Sequence, residues 1–169
     1  MYKEVITEKF LQRQVALIGE EIYHRHHSNH DHVVFVGILN GAFMFFSDLV
    51  KQVNLPMEID FLKVKSYEGR TQKEIVITQD INIDLTDKHV YVVDDIIDSG
   101  NTMKYVMDIV EHRGAKSVTP ISVIYKENLV VPEALYILRQ PEESPWFVGY
   151  GMDDEDGTAR NLQSIYQKD

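Results

Sequence analysis

The stretch VYVVDDIIDSGNT, residues 90–102, decides the fold of this 169-residue chain. Its first four residues, 90–93, form a short apolar run that is typical of a strand buried on both faces of a sheet. Asp94 and Asp95 follow at the carboxyl end of that strand, and residues 98–102 then open a helix. A strand that passes through a glycine-containing turn into a helix predicts a parallel sheet covered by helices.

The turn after this strand has the chemistry of a phosphate site. Gly100 allows tight backbone geometry, and Ser99 and Thr102 offer hydroxyl groups. The first helical turn adds free N–H groups and a favourable dipole. The carboxylates of Asp94 and Asp95 would repel a phosphate directly. They make sense if they hold ribose hydroxyls or a magnesium ion bound to a sugar diphosphate.

The same alternation of elements continues on both sides of this stretch. Apolar residues at helical spacing predict helices over residues 8–25, 42–53 and 102–112. Short apolar or alternating runs predict strands over residues 33–39, 57–64, 75–77, 81–85, 118–125 and 147–151, with a polar loop over residues 66–73. The prediction is an α/β fold with a central parallel sheet flanked by helices, in one domain over residues 1–169. Ligands of such sheets bind at the carboxyl ends of the strands, which selects the turns at residues 39–41 and 94–102.

The composition excludes several classes of protein. The chain has no cysteine, so a disulfide scaffold and a thiolate nucleophile are both excluded. The formal net charge of −10 disfavours binding to nucleic acid, which usually depends on a basic patch. The sequence shows no signal-peptide pattern and no apolar stretch near the roughly 18 residues needed to cross a bilayer. We therefore expect a cytoplasmic protein with neither a nucleic acid nor a membrane as partner.

Residues 90–102 resemble the phosphoribosyl-pyrophosphate (PRPP) binding motif of the type I phosphoribosyltransferase family. Leu39-Asn40-Gly41, with the apolar helix after it, is similar to the pyrophosphate loop of that family, where a strained or cis peptide is common. Lys65-Ser66-Tyr67 is similar to the start of the family's mobile lid. The resemblance therefore implies the fold of that family, in which a small hood and a lid loop accompany the central sheet.

Segments beyond this motif narrow the resemblance. Lys126, at the end of a predicted strand, is similar to the lysine with which the family reads a purine. WFVGYGMD, residues 146–153, is similar to the purine-stacking and metal-binding segment, and Arg160-Asn161-Leu162 to the closing arginine motif. The similarity spans residues 33–166, and the combination indicates the branch that acts on 6-oxopurines, the hypoxanthine or hypoxanthine–guanine phosphoribosyltransferases.

The resemblance implies a reaction that joins hypoxanthine, and also guanine, to the ribose carbon of PRPP, forming IMP or GMP and pyrophosphate with Mg²⁺ as cofactor. Asp98 is the implied general base or acid near the purine imidazole nitrogen. The implied PRPP contacts are Leu39, Asn40, Gly41, Asp94, Asp95, Asp98, Ser99, Gly100, Asn101, Thr102 and Arg160. The implied purine contacts are Lys126, Trp146, Phe147 and Asp153; the implied lid residues are Ser66 and Tyr67; and the implied metal ligands are Asp94, Asp95 and Asp153.

The sequence departs from the family's pattern at three places. Asn40 and Asn101 stand where the family usually or often has a basic residue, so two positive charges near the phosphates are missing. This suggests a greater dependence on magnesium and on backbone amides. The spacing from Asp153 to Arg160 is one residue longer than usual, which predicts a displaced Arg160.

Two other functions stay open from the sequence. A sister transferase for xanthine, adenine or a pyrimidine would share the PRPP site; Lys126 favours a 6-oxo over a 6-amino group because an ammonium group only donates hydrogen bonds. A non-catalytic regulator that senses nucleotides or RNA on the same fold would need a basic face, which the charge disfavours.

Two further features have less defined roles. Five histidines lie within nine residues: His24, His26, His27, His30 and His32. Such a cluster is compatible with a zinc site, but the favoured interpretation is a polar helix end and loop, where histidine suits the helix dipole. Exposed apolar side chains on the helix at residues 43–46, together with the habit of the family, predict a homodimer or homotetramer.

Overall fold

The computed structural model describes residues 1–68, 73–126, 131, 133–141 and 145–168. Within this part the helices are α1 (Glu8–His26), α2 (Phe43–Gln52) and α3 (Asn101–His112). The strands are β1 (Tyr2–Ile6), β2 (Val33–Leu39), β3 (Glu58–Glu68), β4 (Lys73–Gln79), β5 (His89–Ile97), β6 (Ser117–Lys126), β7 (Leu135–Gln140), β8 (Phe147–Val148) and β9 (Ile165–Lys168).

Six strands form the central sheet in the order β4-β3-β2-β5-β6-β7. Every neighbouring pair is parallel except β3 and β4, which pair antiparallel. The apolar runs of β2 and β5 lie side by side at the centre, and residues 33–38 and 90–93 are buried. The predicted parallel sheet is therefore confirmed, with its carboxyl edge formed by the ends of β2, β5 and β6.

Helices cover both faces of this sheet because successive strand residues point to opposite sides. Phe35 and Tyr91 pack with the apolar residues of α1 and α2, whereas Val34 and Val92 pack with α3. The helix predicted to begin at residue 8 does so, and the Thr7 side chain accepts a hydrogen bond from the N–H of Phe10 at 3.3 Å.

β5 is longer than predicted and contains both acids of the opening motif. Asp94 pairs with Ser122 of β6, and the pairing continues beyond it at Ile96 and Ile124. Asp94 and Asp95 are therefore held on a strand, not in a loop, because the ladder to β6 extends past the apolar run. A site on a paired strand is more rigid than a site on a loop.

The strand predicted over residues 81–85 is wrong. Oδ2 of Asp60 accepts hydrogen bonds from the backbone N–H groups of Asn82, at 2.7 Å, and Ile83, at 3.2 Å. A carboxylate thus satisfies donors that a strand would direct to a neighbouring strand. The alternation that suggested a strand arises because both ends of this irregular segment are buried.

The polar loop predicted over residues 66–73 is wrong at its start, because β3 continues through Glu68. Ser66 and Tyr67 lie on this strand as far as the backbone is concerned. Their side chains, and residues 69–72, lie outside the described part of the chain. The lid role of these two residues therefore stays a prediction.

A second, antiparallel sheet has the order β1-β9-β8 and corresponds to the small hood that the resemblance implied. The short strands β1 and β9, and β7 of the central sheet, were not predicted from the sequence. The strand predicted over residues 147–151 ends at Val148, because Gly149, Tyr150 and Gly151 have φ values of 91°, 49° and 102°.

The apolar face expected on α2 is mostly internal. Phe45 and Phe46 are buried in the core, and only Phe43 of the three is exposed, at 41%. The expectation that Phe46 is exposed is wrong, so the predicted homodimer or homotetramer rests on Phe43 and stays a prediction. No helix in the described residues has the length and apolar character needed to span a bilayer.

Candidate active site

The ends of β5 and β6 and the hood enclose a cavity of about 380 Å³, named here the Lys126 cavity. It brings together five residues that the sequence assigned to purine binding or proton transfer, drawn from three distant parts of the chain: Asp98, Lys126, Trp146, Phe147 and Asp153. Asp95 of the acidic pair also lines it. The predicted purine and sugar contacts therefore meet in one place.

A buried cation and an exposed carboxylate face each other across this cavity. Lys126 ends β6 and is only 6% exposed, while the Asp98 side chain is 73% exposed. Nζ of Lys126 lies 3.6 Å from Oδ1 of Asp98. A hydrogen-bond donor fixed beside a mobile acid–base group suits a ligand that carries both a carbonyl oxygen and a titratable nitrogen.

The hood contributes aromatic side chains to the same cavity. Phe147 is nearly buried, whereas Trp146 is 57% exposed. Nε1 of Trp146 donates a hydrogen bond to the carbonyl oxygen of Asp153 at 3.3 Å, which fixes the indole against the cavity. This arrangement offers flat apolar surface to a planar ring.

Asp94 and Asp95 form an acidic pair at the carboxyl end of β5. Burial raises the pKa of Asp94 well above its ordinary value, and the neighbouring charge of Asp95 raises it further. Burial likewise raises the pKa of Asp95. The backbone N–H of Asp95 donates to Asp94 at 2.9 Å and that of Ile96 donates to Asp95 at 2.8 Å, and the two carboxyl groups also interact with each other by a side-chain hydrogen bond. Two such carboxylates are a suitable ligand set for Mg²⁺ or for sugar hydroxyls.

The turn between β5 and α3 forms a smaller cavity of about 90 Å³. Asp98, Ser99, Gly100 and Thr102 line it, as the sequence predicted for a phosphate site. Gly100 caps α3 with φ 76°, a conformation that glycine adopts without steric cost, and Ser99 Oγ accepts from the N–H of Asn101 at 3.3 Å. The free N–H groups of the first turn of α3 point toward this cavity, which makes it suitable for binding an anion.

The turn after β2 packs directly against the acidic pair. The peptide between Leu39 and Asn40 is cis. A Cβ atom added to Gly41 would lie 2.1 Å from Oδ2 of Asp95, and one added to Gly151 would lie 2.0 Å from the carbonyl oxygen of Gly41. Only glycine fits at positions 41 and 151, because the loop, the strand end and the hood are in contact there.

Arg160 reaches this turn despite the longer spacing from Asp153. It lines an open cavity of about 500 Å³ together with Leu39, Asn40 and Asn161. Its guanidinium donates to the carbonyl oxygen of Gly151 at 2.7 Å and to Oδ2 of Asp153 at 2.5 Å. The structure therefore holds the side chain beside the β2 turn, and its displacement relative to the family's pattern stays a prediction.

Several residues at the site carried no signal in the sequence. Ile96, Pro145 and Met152 line the Lys126 cavity, but apolar side chains of this kind are indistinguishable from core residues in a sequence. Asp48 of α2 was also missed. Its carboxylate accepts hydrogen bonds from Gln12 at 2.7 Å, Lys51 at 2.9 Å and the Tyr150 hydroxyl at 2.8 Å.

Asp48 joins two helices to the hood segment that borders the site. Partial burial opposes its ionisation, but these three hydrogen bonds outweigh burial and lower the pKa of Asp48. Burial and the same carboxylate raise the pKa of Tyr150. The pair therefore holds an ionised acid against a neutral phenol, which fixes the backbone of residues 150 and 151 beside Gly41.

Comparison with known proteins places these observations in a family. A model of the phosphoribosyl transferase domain matches residues 8–155. Hypoxanthine phosphoribosyltransferase of Haemophilus influenzae is 36% identical over 155 residues, which cover 88% of this chain and 86% of that protein. Hypoxanthine-guanine phosphoribosyltransferase of Dictyostelium discoideum is 33% identical over 160 residues, which cover 90% of this chain and 88% of that protein. A crystal structure of hypoxanthine phosphoribosyltransferase from Staphylococcus aureus superposes with a TM-score of 0.90 at 28% identity, covering 99% of this chain and 91% of that one.

Proposed function

The chain belongs to the phosphoribosyl transferase domain family, and on that premise we propose that it is a purine-salvage enzyme that transfers the phosphoribosyl group of PRPP to hypoxanthine, forming IMP and pyrophosphate. Guanine is the proposed second acceptor, which would give GMP. The observation that carries the proposal is the Lys126 cavity, where a buried ammonium group and an exposed carboxylate stand beside the acidic pair.

In this proposal the purine lies in the Lys126 cavity. Lys126 donates a hydrogen bond to the 6-oxo group. A 6-amino group in the same place could not accept this hydrogen bond. Trp146 and Phe147 cover the ring, and the backbone near Asp153 reads the edge of the base. Asp98, 3.6 Å from the ammonium group, takes the proton from the imidazole nitrogen that forms the new bond.

PRPP spans the three remaining parts of the site. The turn of residues 98–102 holds the 5′-phosphate through backbone N–H groups and two hydroxyls. Asp94 and Asp95 hold the ribose hydroxyls. The turn at residues 39–41 and Arg160 hold the pyrophosphate, and the planar guanidinium is suited to two phosphate oxygens at once.

The acidic pair fits Mg²⁺, because a bound cation would offset the charges of two adjacent carboxylates whose ionisation burial opposes. We propose Asp94 and Asp95 as ligands, with Asp153, whose carboxylate also orients Arg160, at a second position. When bound, the ion would neutralise charge on the pyrophosphate as the glycosidic bond breaks. The developing sugar cation needs protection from water, which the hood provides on one side.

One assay tests the proposal. Purified protein is incubated with PRPP and Mg²⁺ and with hypoxanthine, guanine, xanthine or adenine in turn, and nucleotide formation is followed by chromatography. We expect turnover with hypoxanthine and guanine and almost none with adenine. Preferred use of xanthine would move the protein to the sister transferase, and tight RNA binding at physiological salt without turnover would replace the enzyme by a regulator.

Lys126→Met should raise KM for hypoxanthine by about 10–100-fold, because it removes a charge-assisted hydrogen bond worth about 1.5–3 kcal/mol. Steady-state kinetics with PRPP at saturation measure the effect. Lys9→Met, at an exposed position of α1, is the control for loss of a lysine charge. An unchanged KM for hypoxanthine in Lys126→Met would remove the lysine from the purine site.

Gly41→Ala should weaken PRPP binding by about tenfold, because the new Cβ must displace the Asp95 carboxylate or the turn itself. Isothermal titration with PRPP and Mg²⁺ measures the change. Ser47→Ala, which also changes one small residue, at an exposed position of α2 close in sequence to the turn, is the control. Equal affinity of the two variants for PRPP would show that the turn at residues 39–41 does not contribute to PRPP binding.

A further inference from the structure

A compact group of three side chains lies at the amino edge of the central sheet, away from the candidate active site. His26 is the last residue of α1, Asp31 follows in the connection to β2, and His89 is the first residue of β5. We call these three residues the His26 cluster. His89 and Asp95 are six residue steps apart along β5, so the two places are roughly 20 Å apart.

The cluster has the geometry of a metal site. One ligand atom from each side chain lies within 4.8 Å of the other two. Nδ1 of His26 is 2.7 Å from Oδ2 of Asp31, and Nε2 of His89 is 3.6 Å from Oδ1 of the same carboxylate. All three side chains are largely buried, with exposed fractions of 7%, 13% and 18% for His26, Asp31 and His89.

The outer nitrogen of each imidazole is engaged by a hydroxyl group. Nε2 of His26 is 2.7 Å from the Tyr91 hydroxyl, and Nδ1 of His89 is 2.7 Å from Oγ of Ser117. Without an ion, Nδ1 of His26 carries the proton that it shares with Asp31. With an ion bound, each outer N–H would donate to its hydroxyl, and each inner nitrogen would present its lone pair to the ion. This is the outer support that metal-binding histidines usually have.

Among the described residues, the inner nitrogen of His89 lacks the hydrogen-bond partner that a buried histidine nitrogen normally has. Nε2 is buried and has no hydrogen-bond partner within the described residues. Burial lowers the pKa of His89, and the charge of Asp31 opposes that shift. The hydrogen bond from His26 lowers the pKa of Asp31. A cation between them would satisfy both groups, whereas a buried lone pair left alone costs free energy.

We propose that the His26 cluster binds one transition-metal ion of the zinc class, with His26, Asp31 and His89 as ligands. Imidazole nitrogens favour Zn²⁺, Co²⁺ or Ni²⁺ over Mg²⁺, so this site is chemically distinct from the acidic pair. The ion replaces the proton shared by His26 and Asp31, which is released to solvent. A cavity of about 470 Å³, lined by His27, His30 and His32 among others, borders the cluster and leaves room for water as the fourth ligand.

Such an ion would join three elements of the fold. The ligands come from the end of α1, the connection to β2 and the start of β5, and the Ser117 contact adds β6. The ion would therefore stabilise the amino edge of the sheet without touching the proposed substrates. Its role is independent of the proposed transferase activity.

Metal-free protein titrated with ZnCl₂ should bind one ion per chain, and the melting temperature should rise by about 5–10 °C at a 100-fold excess over Kd. His89→Gln and Asp31→Asn should each lose at least tenfold in affinity. His24→Ala, which removes an exposed histidine of α1, should bind zinc like the original chain. Circular dichroism in the absence of metal checks that each variant is folded.

Two measurements on the unchanged protein keep the test decisive if a variant fails to fold. Co²⁺ should give the intense visible absorption of a tetrahedral site, and X-ray absorption of the zinc form should show two imidazoles with oxygen ligands. Binding that survives in His89→Gln and Asp31→Asn but is lost when His27, His30 and His32 are all changed to alanine would place the ion in the exposed loop. That result, or no binding at one ion per chain, would overturn the proposal.

Discussion

Asp98→Asn should lower kcat by about 10²–10⁴-fold while the protein stays folded. The Asp98 side chain is 73% exposed and lies outside the core, so the substitution removes a proton acceptor and the charge that lies 3.6 Å from the Lys126 ammonium group, but no core packing. An amide of the same shape cannot take the proton from the purine. Lys126 keeps its position at the end of β6 and continues to bind the base, so KM for hypoxanthine should change much less than kcat.

Steady-state kinetics with hypoxanthine and PRPP at saturation measure this effect. Asp108→Asn is the matched control, since Asp108 is also an exposed acid of the same region, on α3. Its turnover should equal that of the original chain, and the melting temperatures of both variants should agree within about 2 °C. Near-normal turnover of Asp98→Asn would exclude this carboxylate as the general base.

The central part of the fold could be predicted because its signals are local. The apolar runs of β2 and β5 give buried parallel strands, and the helices after them follow from 3.6-residue spacing. The boundaries that failed depend on contacts between distant residues. β5 runs on through Asp94 because β6 offers a partner at Ser122, and residues 81–85 are irregular because Asp60 satisfies their backbone. Neither contact is visible from spacing.

The residues of the candidate site also divide into those with a local signal in the sequence and those whose roles depend on contacts between distant residues. Asp98, Lys126 and the segment at residues 146–153 were identified from the sequence, and the structure brings them to one cavity. Ile96 and Asp48 were assigned no role, because their roles arise from packing and from a hydrogen bond to Tyr150 that spans 102 residues.

The histidine-rich stretch shows how a sequence count can mislead about a cluster. Of its five members only His26 is buried, and the other four are exposed as a polar helix end predicts. The residues that complete the buried group are Asp31 and His89, and His89 lies more than 60 positions along the chain. The metal site proposed above therefore has one member in common with the pattern that first suggested a metal.

Asp94 and Asp95 make the stability of the ligand-free protein depend on pH. Asp94 and Asp95 are half-buried, and desolvation raises the pKa of both; at Asp94 the adjacent charge adds to the shift. A carboxyl group whose pKa is raised on folding contributes stability below its unfolded pKa, near 3.9. That contribution is lost as the pH rises through the folded-state value. At neutral pH the ligand-free protein is therefore less stable than it would be without these charges.

Asp94→Asn should consequently stabilise the ligand-free protein and lower kcat/KM by about 10²-fold or more. Asparagine fits the space and cannot ionise, so the melting temperature should rise by about 2–6 °C at pH 7.5. The gain should shrink as the pH falls toward the unfolded pKa, near 3.9, and vanish only well below it, where the acid is protonated in both states. The fall in kcat/KM follows because the amide is a weaker ligand for Mg²⁺ and for ribose hydroxyls.

Thermal unfolding across pH 4–8, with and without Mg²⁺ and PRPP, separates the two effects. Saturating Mg²⁺ and PRPP should raise the melting temperature of the original chain more than that of Asp94→Asn. Only the original chain has two carboxylates whose charges the bound ion would offset. Asp108→Asn should follow the original chain throughout, since it changes the net charge equally at an exposed position. A melting temperature for Asp94→Asn that is lower than the original at pH 7.5 would mean that the carboxylate stabilises the fold. The pair would then be a structural feature of β5, and its place as the cation and ribose site would have to be given up.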